Sequence, residues 1–188
     1  MADNEFTTDQ TPMGAAPEGA EGPQAGVLAQ YIKDLSFENP NAPASLQALS
    51  AAKPAIDVNV NVGVRKMNDE VYEVELKISA TASHANEDGS ESHVAFVVEL
   101  AYATLFGVRG LPEEALKQFL LIQGPTMMFP FARRIIADAS RDGGFPPLLL
   151  EPINFEALYQ AQAAQEAQQA QAANAAGDSE DPAPISLN

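Results

Sequence analysis

The chain has 188 residues and a formal net charge of −16, from 26 acidic and 10 basic side chains. This acidic excess argues against binding to nucleic acid or anionic lipid, because both need positive charge on the protein. Cysteine is absent, which excludes disulfide bonds, thiolate zinc sites and a cysteine nucleophile. No segment has the pattern of a secretory signal or approaches the roughly 18 apolar residues of a membrane span. We therefore expect a cytoplasmic protein.

Charge and composition divide the chain into three parts. Residues 1–25 carry acids but no base, lack hydrophobic periodicity and are rich in Gly and Pro, which predicts a disordered acidic tail. Residues 26–160 hold every basic side chain and are predicted to form the folded domain. Residues 161–188 begin with a Gln/Ala-rich run of good helix propensity and end in a second acidic stretch. We therefore predict a helix that frays toward its C-terminal end, followed by a disordered acidic tail.

The first half of the folded domain has the pattern of four β-strands. The first is the mixed apolar segment Val27–Glu38. Strict alternation in Ile56–Val64 and again in Tyr72–Ala80, around the polar turn Met67–Glu70, predicts a β-hairpin. The fourth strand, Val94–Val108, is apolar on both faces and should be covered on both. We infer that a second copy of the chain covers its second face.

Helical patterns follow the strands. Pro and two acids at the start of residues 111–122 suit a helix N-terminus, and Gly-Pro at 124–125 is expected to end this helix. A second helix is predicted from apolar residues at three- and four-residue spacing, and it should end at Gly143 and Gly144. Pro130 lies inside this pattern, so it should kink the second helix or place its start later.

An extended apolar connector, Phe145–Asn154, leads to a final helix predicted from Phe155 to about Ala173. Strands followed by helices indicate an α+β fold. We predict a four-stranded antiparallel sheet with helices packed on one face.

The sequence contains no catalytic or metal-binding motif of the GxSxG, HExxH, P-loop or EF-hand type. His84 and His93 flank a polar loop, and we interpret them as exposed loop residues. Asp34 and Glu38 share a strand face about 13 Å apart, which is too far for two carboxylates to share a proton. Their spacing alone does not decide between two roles: a row of charges that binds a basic partner, or a solvated edge of the sheet. No enzyme, cofactor or metal site is predicted.

Four segments carry a family signal. They are Tyr31–Pro43 (YIKDLSFENPNAP), Asp69–Leu76 (DEVYEVEL), Pro125–Arg133 (PTMMFPFAR) and Phe145–Leu158, which ends in PINFEAL. Together they resemble SecB, a family of bacterial protein-export chaperones, and they occur in the same order as in that family. The resemblance covers about residues 27–160.

The resemblance implies a chaperone without enzymatic activity that assembles as a homotetramer, a dimer of dimers. Such a chaperone holds unfolded precursor proteins without ATP and delivers them to SecA, the export motor. The basic, zinc-binding C-terminal tail of SecA would contact residues on the first and fourth strands. The matching positions here are Asp34, Glu38, Val97 and Glu99.

Clients of SecB-like proteins bind in apolar grooves beside the crossover that follows the first strand, here residues 41–54. The resemblance places the groove at Leu46, Leu49 and Tyr159. We expect the oligomer interface to use apolar residues of the fourth strand and of the second long helix, namely Val98, Leu100, Met128 and Phe131.

Two alternatives remain open from the sequence. The first is an oligomeric α+β domain that binds a small ligand or catalyses a reaction, which would need convergent polar groups in an apolar cavity. The second is a SecB-like chaperone dedicated to one partner, such as an antitoxin.

Overall fold

The computed structural model describes residues 22–48, 53–84 and 93–177. Its strands are β1 (Gln24–Glu38), β2 (Ala55–Lys66), β3 (Val71–His84) and β4 (His93–Arg109). Its helices are α1 (Ala44–Ala48), α2 (Glu113–Gln118), α3 (Gly124–Asp142) and α4 (Phe155–Gly177), with a π-helical segment (Phe119–Gln123) between α2 and α3. Most of the predicted N-terminal tail and the end of the predicted C-terminal tail lie outside the described residues.

All four strands form one antiparallel sheet in the order β1-β4-β3-β2. The predicted hairpin is the β2–β3 pair, and Asn68 stabilises its turn. The side-chain oxygen of Asn68 accepts backbone hydrogen bonds from Glu70 at 3.0 Å and from Val71 at 2.8 Å. β4 pairs on both sides, while β1 and β2 are the two edges. The predicted α+β fold, with a four-stranded antiparallel sheet followed by helices, is confirmed.

Helical backbone continues from α2 into α3, so the predicted break at residues 124–125 is wrong. Gln123 and Gly124 both have right-handed helical angles, and the π-helical segment joins the two helices. Pro125 follows the π-helical segment, where the backbone N–H of Gly124 donates to the carbonyl of Phe119, five residues earlier rather than four. The missing N–H of Pro125 therefore falls where the helical hydrogen-bond ladder is already offset. Pro130 also lies inside α3, so the expectation of a later start is wrong. Pro130 is exposed, so water can hydrate the carbonyl that its missing N–H leaves unpaired.

The hydrophobic core lies between the helices and one face of the sheet, which we call the inner face. Alternate residues of β3 and β4 point into it, including Leu76, Ile78 and Phe106. Met128 and Ile136 of α3 pack against them and have no exposed surface. Burial of one such side chain contributes roughly 1.5–3 kcal/mol relative to an exposed position. Within the described residues, no helix combines the length and apolar character that crossing a bilayer requires.

Three of the four residues predicted at the oligomer interface belong to this core. Val98 and Met128 are 0% exposed, and Leu100 is 2% exposed. The prediction is wrong for these three, because a side chain without accessible surface cannot touch a second copy. Phe131 differs, since it is 49% exposed on α3.

Two local features set the ends of the helices around the apolar connector. Gly144 has a φ of +89°, which is costly for any other residue, and α3 ends just before it as predicted. A Cβ atom on Gly143 would collide with the ring of Phe37, so only glycine fits there. α4 begins at Phe155 as predicted, and the side-chain oxygen of Asn154 accepts a first-turn backbone hydrogen bond at 3.0 Å.

Candidate functional site

The face of the sheet turned away from the helices, here called the outer face, carries all four residues predicted to bind SecA. Glu38 pairs directly with Val97, and directly paired residues of an antiparallel ladder point to the same face. Glu99 lies two residues beyond Val97 on β4, and Asp34 lies four residues before Glu38 on β1. Because side chains alternate along a strand, the four share the outer face.

Three carboxylates form what we call the acidic rim: Asp34, Glu38 and Glu99. All three residues are exposed. Within the described part of the chain, none of them forms an ion pair. Their negative charge therefore remains available to attract a cationic partner, an effect that salt screens over about 10 Å at 0.1 M.

Beside the acidic rim, five polar side chains form a network that we call the polar bridge: Tyr31, Lys33, Arg65, Glu73 and Glu75. The Tyr31 hydroxyl donates a hydrogen bond to Glu73 Oε1 at 2.5 Å. Lys33 Nζ and an Arg65 guanidinium nitrogen lie 3.2 Å and 3.0 Å from Glu73 Oε2. Lys33 Nζ also lies 2.9 Å from Glu75 Oε1. The bridge thus links β1, β3 and β2 across the outer face.

The polar bridge covers part of the second face of β4. β4 lies between β1 and β3, so the contacts from Tyr31 and Lys33 to β3 must pass over it. Ala103, which pairs with Tyr31 on one side and Glu75 on the other, is 0% exposed as a result. At Ala103, side chains of the same subunit therefore provide the cover that we expected from a second copy. Val97, Ala101 and Leu105 on the same face are only half-buried, so for them the inference of a second copy stays a prediction.

The contacts of the polar bridge favour the charged forms of Glu73 and Lys33 and the neutral form of Tyr31. The pKa of Glu73 is lowered, first by the hydrogen bond from Tyr31 and then by Lys33 and Arg65, against the opposing effect of burial. The same hydrogen bond raises the pKa of Tyr31, because ionisation would remove the donated proton. Hydrogen bonds to Glu75 and Glu73 raise the pKa of Lys33. The bridge is consequently a fixed, internally compensated set of charges at neutral pH.

An open cavity of about 500 Å³, here called the outer groove, lies between the acidic rim and β2. Its polar lining includes Asp34 and Glu99 from the rim, Lys33 and Lys77, and Asn59 and Asn61 of β2. Its volume is within the range of ligand sites.

The inner side carries a different surface, here called the apolar groove. Two adjoining cavities of about 560 Å³ and 260 Å³ share Ile56, Leu148 and Leu149 in their lining. Leu149 is 62% exposed and Ile56 is 39% exposed, so both cavities open at the surface. The groove therefore runs between edge strand β2 and the connector between α3 and α4.

Two of the residues predicted for client binding, Leu46 and Tyr159, lie near the apolar groove but do not line it. Leu46 is 37% exposed and faces Gly144, just before the connector. Tyr159 is half-buried, with Lys117 Nζ 5.6 Å from the centre of its ring, and it follows the groove residue Leu158. Leu49 lies outside the described residues.

Sequence reasoning missed the main lining of the apolar groove. Its larger cavity is lined mainly by apolar residues of β2 and of the connector, among them Val58, Val60, Leu150, Pro152 and Ile153. A signal was present, because not every residue of an extended apolar run can enter the core: Phe145 and Leu150 are buried, whereas Leu149 is 62% exposed. That run lies opposite the apolar alternation of β2, which is a sheet edge.

Two further surfaces expose apolar side chains. One lies on the inner side of edge strand β1, where Val27, Ile32 and Leu35 are 42–48% exposed. The other is the outward side of α3, with Met127 and Phe131 one turn apart at 43% and 49% exposure. The two surfaces belong to different layers of the fold, one to the sheet and one to the helices.

A family model described as "Preprotein translocase subunit SecB" matches residues 18–166. The chain belongs to the SecB family. Curated relatives named "Protein-export protein SecB" include the protein of Rhizorhabdus wittichii, 52% identical over 75% of this chain and 80% of the relative. The Sphingopyxis alaskensis protein is 47% identical over 87% of this chain and 92% of the relative. The resemblance drawn from four sequence segments is confirmed.

A solved structure of the SecB-like chaperone of Mycobacterium tuberculosis, in complex with a peptide from the HigA1 antitoxin, also matches. It covers 69% of this chain and 90% of that chain, with a TM-score of 0.55 and 16% identity. At this identity the match supports the shared fold alone.

Proposed function

We propose that the chain is an ATP-independent export chaperone of the cytoplasm that holds unfolded precursor proteins and delivers them to SecA. The observation that carries this proposal is the open apolar groove beside β2. A chaperone of this kind needs affinity without a sequence code, and exposed apolar surface supplies it at about 25 cal/mol per Å² buried. The function involves no catalysis and no cofactor.

The exposed side chains of the groove suit a weak and reversible hold. Leu149 and Ile56 still have surface to bury, so an apolar client residue gains free energy on entering. Several grooves on one assembly would bind different parts of the same unfolded chain, and this multivalency raises the overall affinity while each contact stays weak. Leu46, Leu49 and Tyr159 would extend the contact surface around the groove.

SecA would dock on the outer face through Asp34, Glu38, Val97 and Glu99. The uncompensated charge of the acidic rim complements a basic, zinc-binding tail, and exposed Coulombic contacts of this kind accelerate association. Client groove and docking face lie on opposite faces of the sheet. Client and SecA can therefore be bound at the same time, which delivery requires.

We further propose that the chain assembles as a homotetramer, a dimer of dimers. Such an assembly needs two different self-complementary interfaces. The edge of β1, which exposes apolar residues and pairs with no further strand among the described residues, supports one interface. The outward side of α3, with Met127 and Phe131, supports the other. An exposed strand edge is otherwise a liability for uncontrolled pairing.

The two alternatives have less support. A small-ligand or enzymatic domain would need convergent polar groups in its apolar cavity, whereas the apolar groove is lined mainly by aliphatic side chains. A chaperone dedicated to an antitoxin is disfavoured, because the chain is 47–52% identical to export proteins and 16% identical to the antitoxin-bound chaperone.

The experiment is suppression of light scattering by a reduced, unfolded protein, without nucleotide. We expect one tetramer per client molecule to suppress aggregation, and Leu149→Asp to weaken suppression by placing a charge in the apolar groove. Met67→Asp is the matched control, since Met67 is 49% exposed in the β2–β3 turn. A requirement for ATP, no suppression, or equal suppression by both variants would contradict the proposal.

A further inference from the structure

We propose that the outer groove selects a partner segment carrying a carboxylate two to four residues from a basic side chain, with Lys77 as the group that binds the carboxylate. The inference deepens the proposed function, because the outer groove adjoins the SecA docking residues and shares Asp34 and Glu99 with them. It names the chemistry of the segment that docks there. A uniformly basic segment would not fit.

The register of the sheet sets the order of groups across the groove. Asp34 pairs with Ala101, Ala101 pairs with Lys77, and Lys77 pairs with Asn61. These four residues form one row across all four strands, with their side chains on the outer face. A segment crossing the sheet along this row meets a negative charge first, then a small residue, then a positive charge and then an amide.

The spacing of the two charges follows from strand geometry. Asp34 on β1 and Lys77 on β3 are separated by one strand, which places their backbones about 9.6 Å apart. An extended peptide rises about 3.3 Å per residue. A base that meets Asp34 is therefore followed about three residues later by the group that meets Lys77.

The charge of Lys77 is only loosely compensated. Its Nζ lies 3.6 Å from Glu75 Oε2, and its side chain is 61% exposed. Glu75 makes its shorter contact, 2.9 Å, with Lys33 of the polar bridge. Lys77 can therefore donate into the groove, whereas Lys33 is held by Glu73 and Glu75 together.

The amides of β2 complete the site. Asn59 and Asn61 both line the outer groove and are exposed. They lie two residues apart on the same face, about 6.6 Å along the strand. Asn61 ends the row that crosses the sheet and Asn59 lies beside it, and side-chain amides both donate and accept hydrogen bonds. They can hold the segment without reading its side chains.

The test is titration calorimetry of the full-length assembly with SecA and with the zinc-loaded C-terminal tail peptide of SecA. We expect Lys77→Glu to weaken binding about tenfold and Lys77→Gln about threefold, because the first replaces attraction by repulsion and the second removes attraction only. Lys66→Glu is the matched control. Lys66 is 56% exposed, pairs with Asp69 and does not line the outer groove.

The outcomes separate this inference from the proposed function. If Lys77→Glu bound SecA as tightly as the wild type or more tightly, the segment would carry no carboxylate at Lys77 and the inference would be overturned. If the wild type bound no SecA, or if reversing the acidic rim left binding unchanged, the docking assignment itself would fail. A folding defect in Lys77→Glu would leave Lys77→Gln to decide, with unchanged affinity counting against the inference.

Peptide variants identify the source of the carboxylate. A tail peptide with an amidated C-terminus loses affinity if the terminal carboxylate meets Lys77. A peptide with its acidic side chains replaced by their amides loses affinity if a side chain does. In either case, the same peptide change should cost no affinity when the protein carries Lys77→Gln. A loss of affinity that persists in this variant would overturn the role of Lys77.

Discussion

Tyr31→Phe tests the energetic importance of the polar bridge. The substitution keeps the ring but removes the hydroxyl that donates to Glu73 Oε1, the shortest contact of the network. Glu73 is only 5% exposed by its side chain, and Lys33 and Arg65 both contact its other oxygen. In the variant, Glu73 Oε1 therefore has lost its hydrogen-bond donor, and burial leaves this oxygen little access to water. A hydrogen bond to a charged group is worth about 1.5–3 kcal/mol, and we expect a loss of unfolding free energy in that range.

The loss should depend on pH, and the sign follows from the lowered pKa of Glu73. A depressed pKa contributes stability above the ordinary value of about 4.5, and that contribution disappears as pH falls through the folded-state value. Removing the Tyr31 hydroxyl raises the folded pKa of Glu73 toward that ordinary value. The difference between wild type and variant should therefore be full at pH 7 and shrink in acid.

The assay is urea unfolding at one fixed protein concentration, because assembly couples stability to concentration. Tyr159→Phe serves as the control, since its ring keeps the contact with Lys117 and only a hydroxyl is lost. A cost for Tyr31→Phe no larger than that of the control at pH 7 would refute the reasoning. A cost that stayed constant from pH 7 into acid would show that the hydroxyl acts without the carboxylate.

Three further changes have defined outcomes. Replacing the three carboxylates of the acidic rim by Lys should weaken SecA binding at least tenfold in calorimetry, with less effect on client capture. Glu114→Lys on α2 is the control, and an unchanged affinity of the rim variant for SecA would contradict the docking assignment. Gly143→Ala should lower the unfolding free energy by about 1–3 kcal/mol through its collision with Phe37, and a thermal midpoint equal to wild type would argue against it. Phe131→Asp should shift the sedimentation coefficient toward a smaller assembly, whereas an unchanged tetramer would remove α3 from the interface.

Local sequence patterns predicted most of the fold. The alternation on both sides of Asn68 determined the β2–β3 hairpin, since a one-residue slip would turn apolar side chains to the outer face. The helical continuity at Gly124 was not predictable in the same way. Gly-Pro is normally a break signal, whereas here Gly124 allows a close approach, because an added Cβ would lie 3.2 Å from the ring of Phe106.

The candidate site was less predictable, because its parts come from strands distant in sequence. The acidic rim could be assembled from alternation and a family resemblance. The covering of Ala103 could not, because it depends on Tyr31 and Glu73, which are 42 residues apart and meet across β4. A strand that is apolar on both faces therefore does not by itself indicate a partner. Long polar side chains from neighbouring strands can provide the cover.

The two grooves share one structural element, β2, and this constrains how delivery can work. Its inward residues, such as Ile56 and Val58, line the apolar groove, while Asn59 and Asn61, which follow them on the strand, line the outer groove. Any coupling between client and SecA through β2 must be reciprocal. If a bound client strengthens SecA docking, SecA docking strengthens the hold on the client by the same factor. Docking on the outer face then cannot release the client, and transfer must be driven by SecA's own affinity for the unfolded chain.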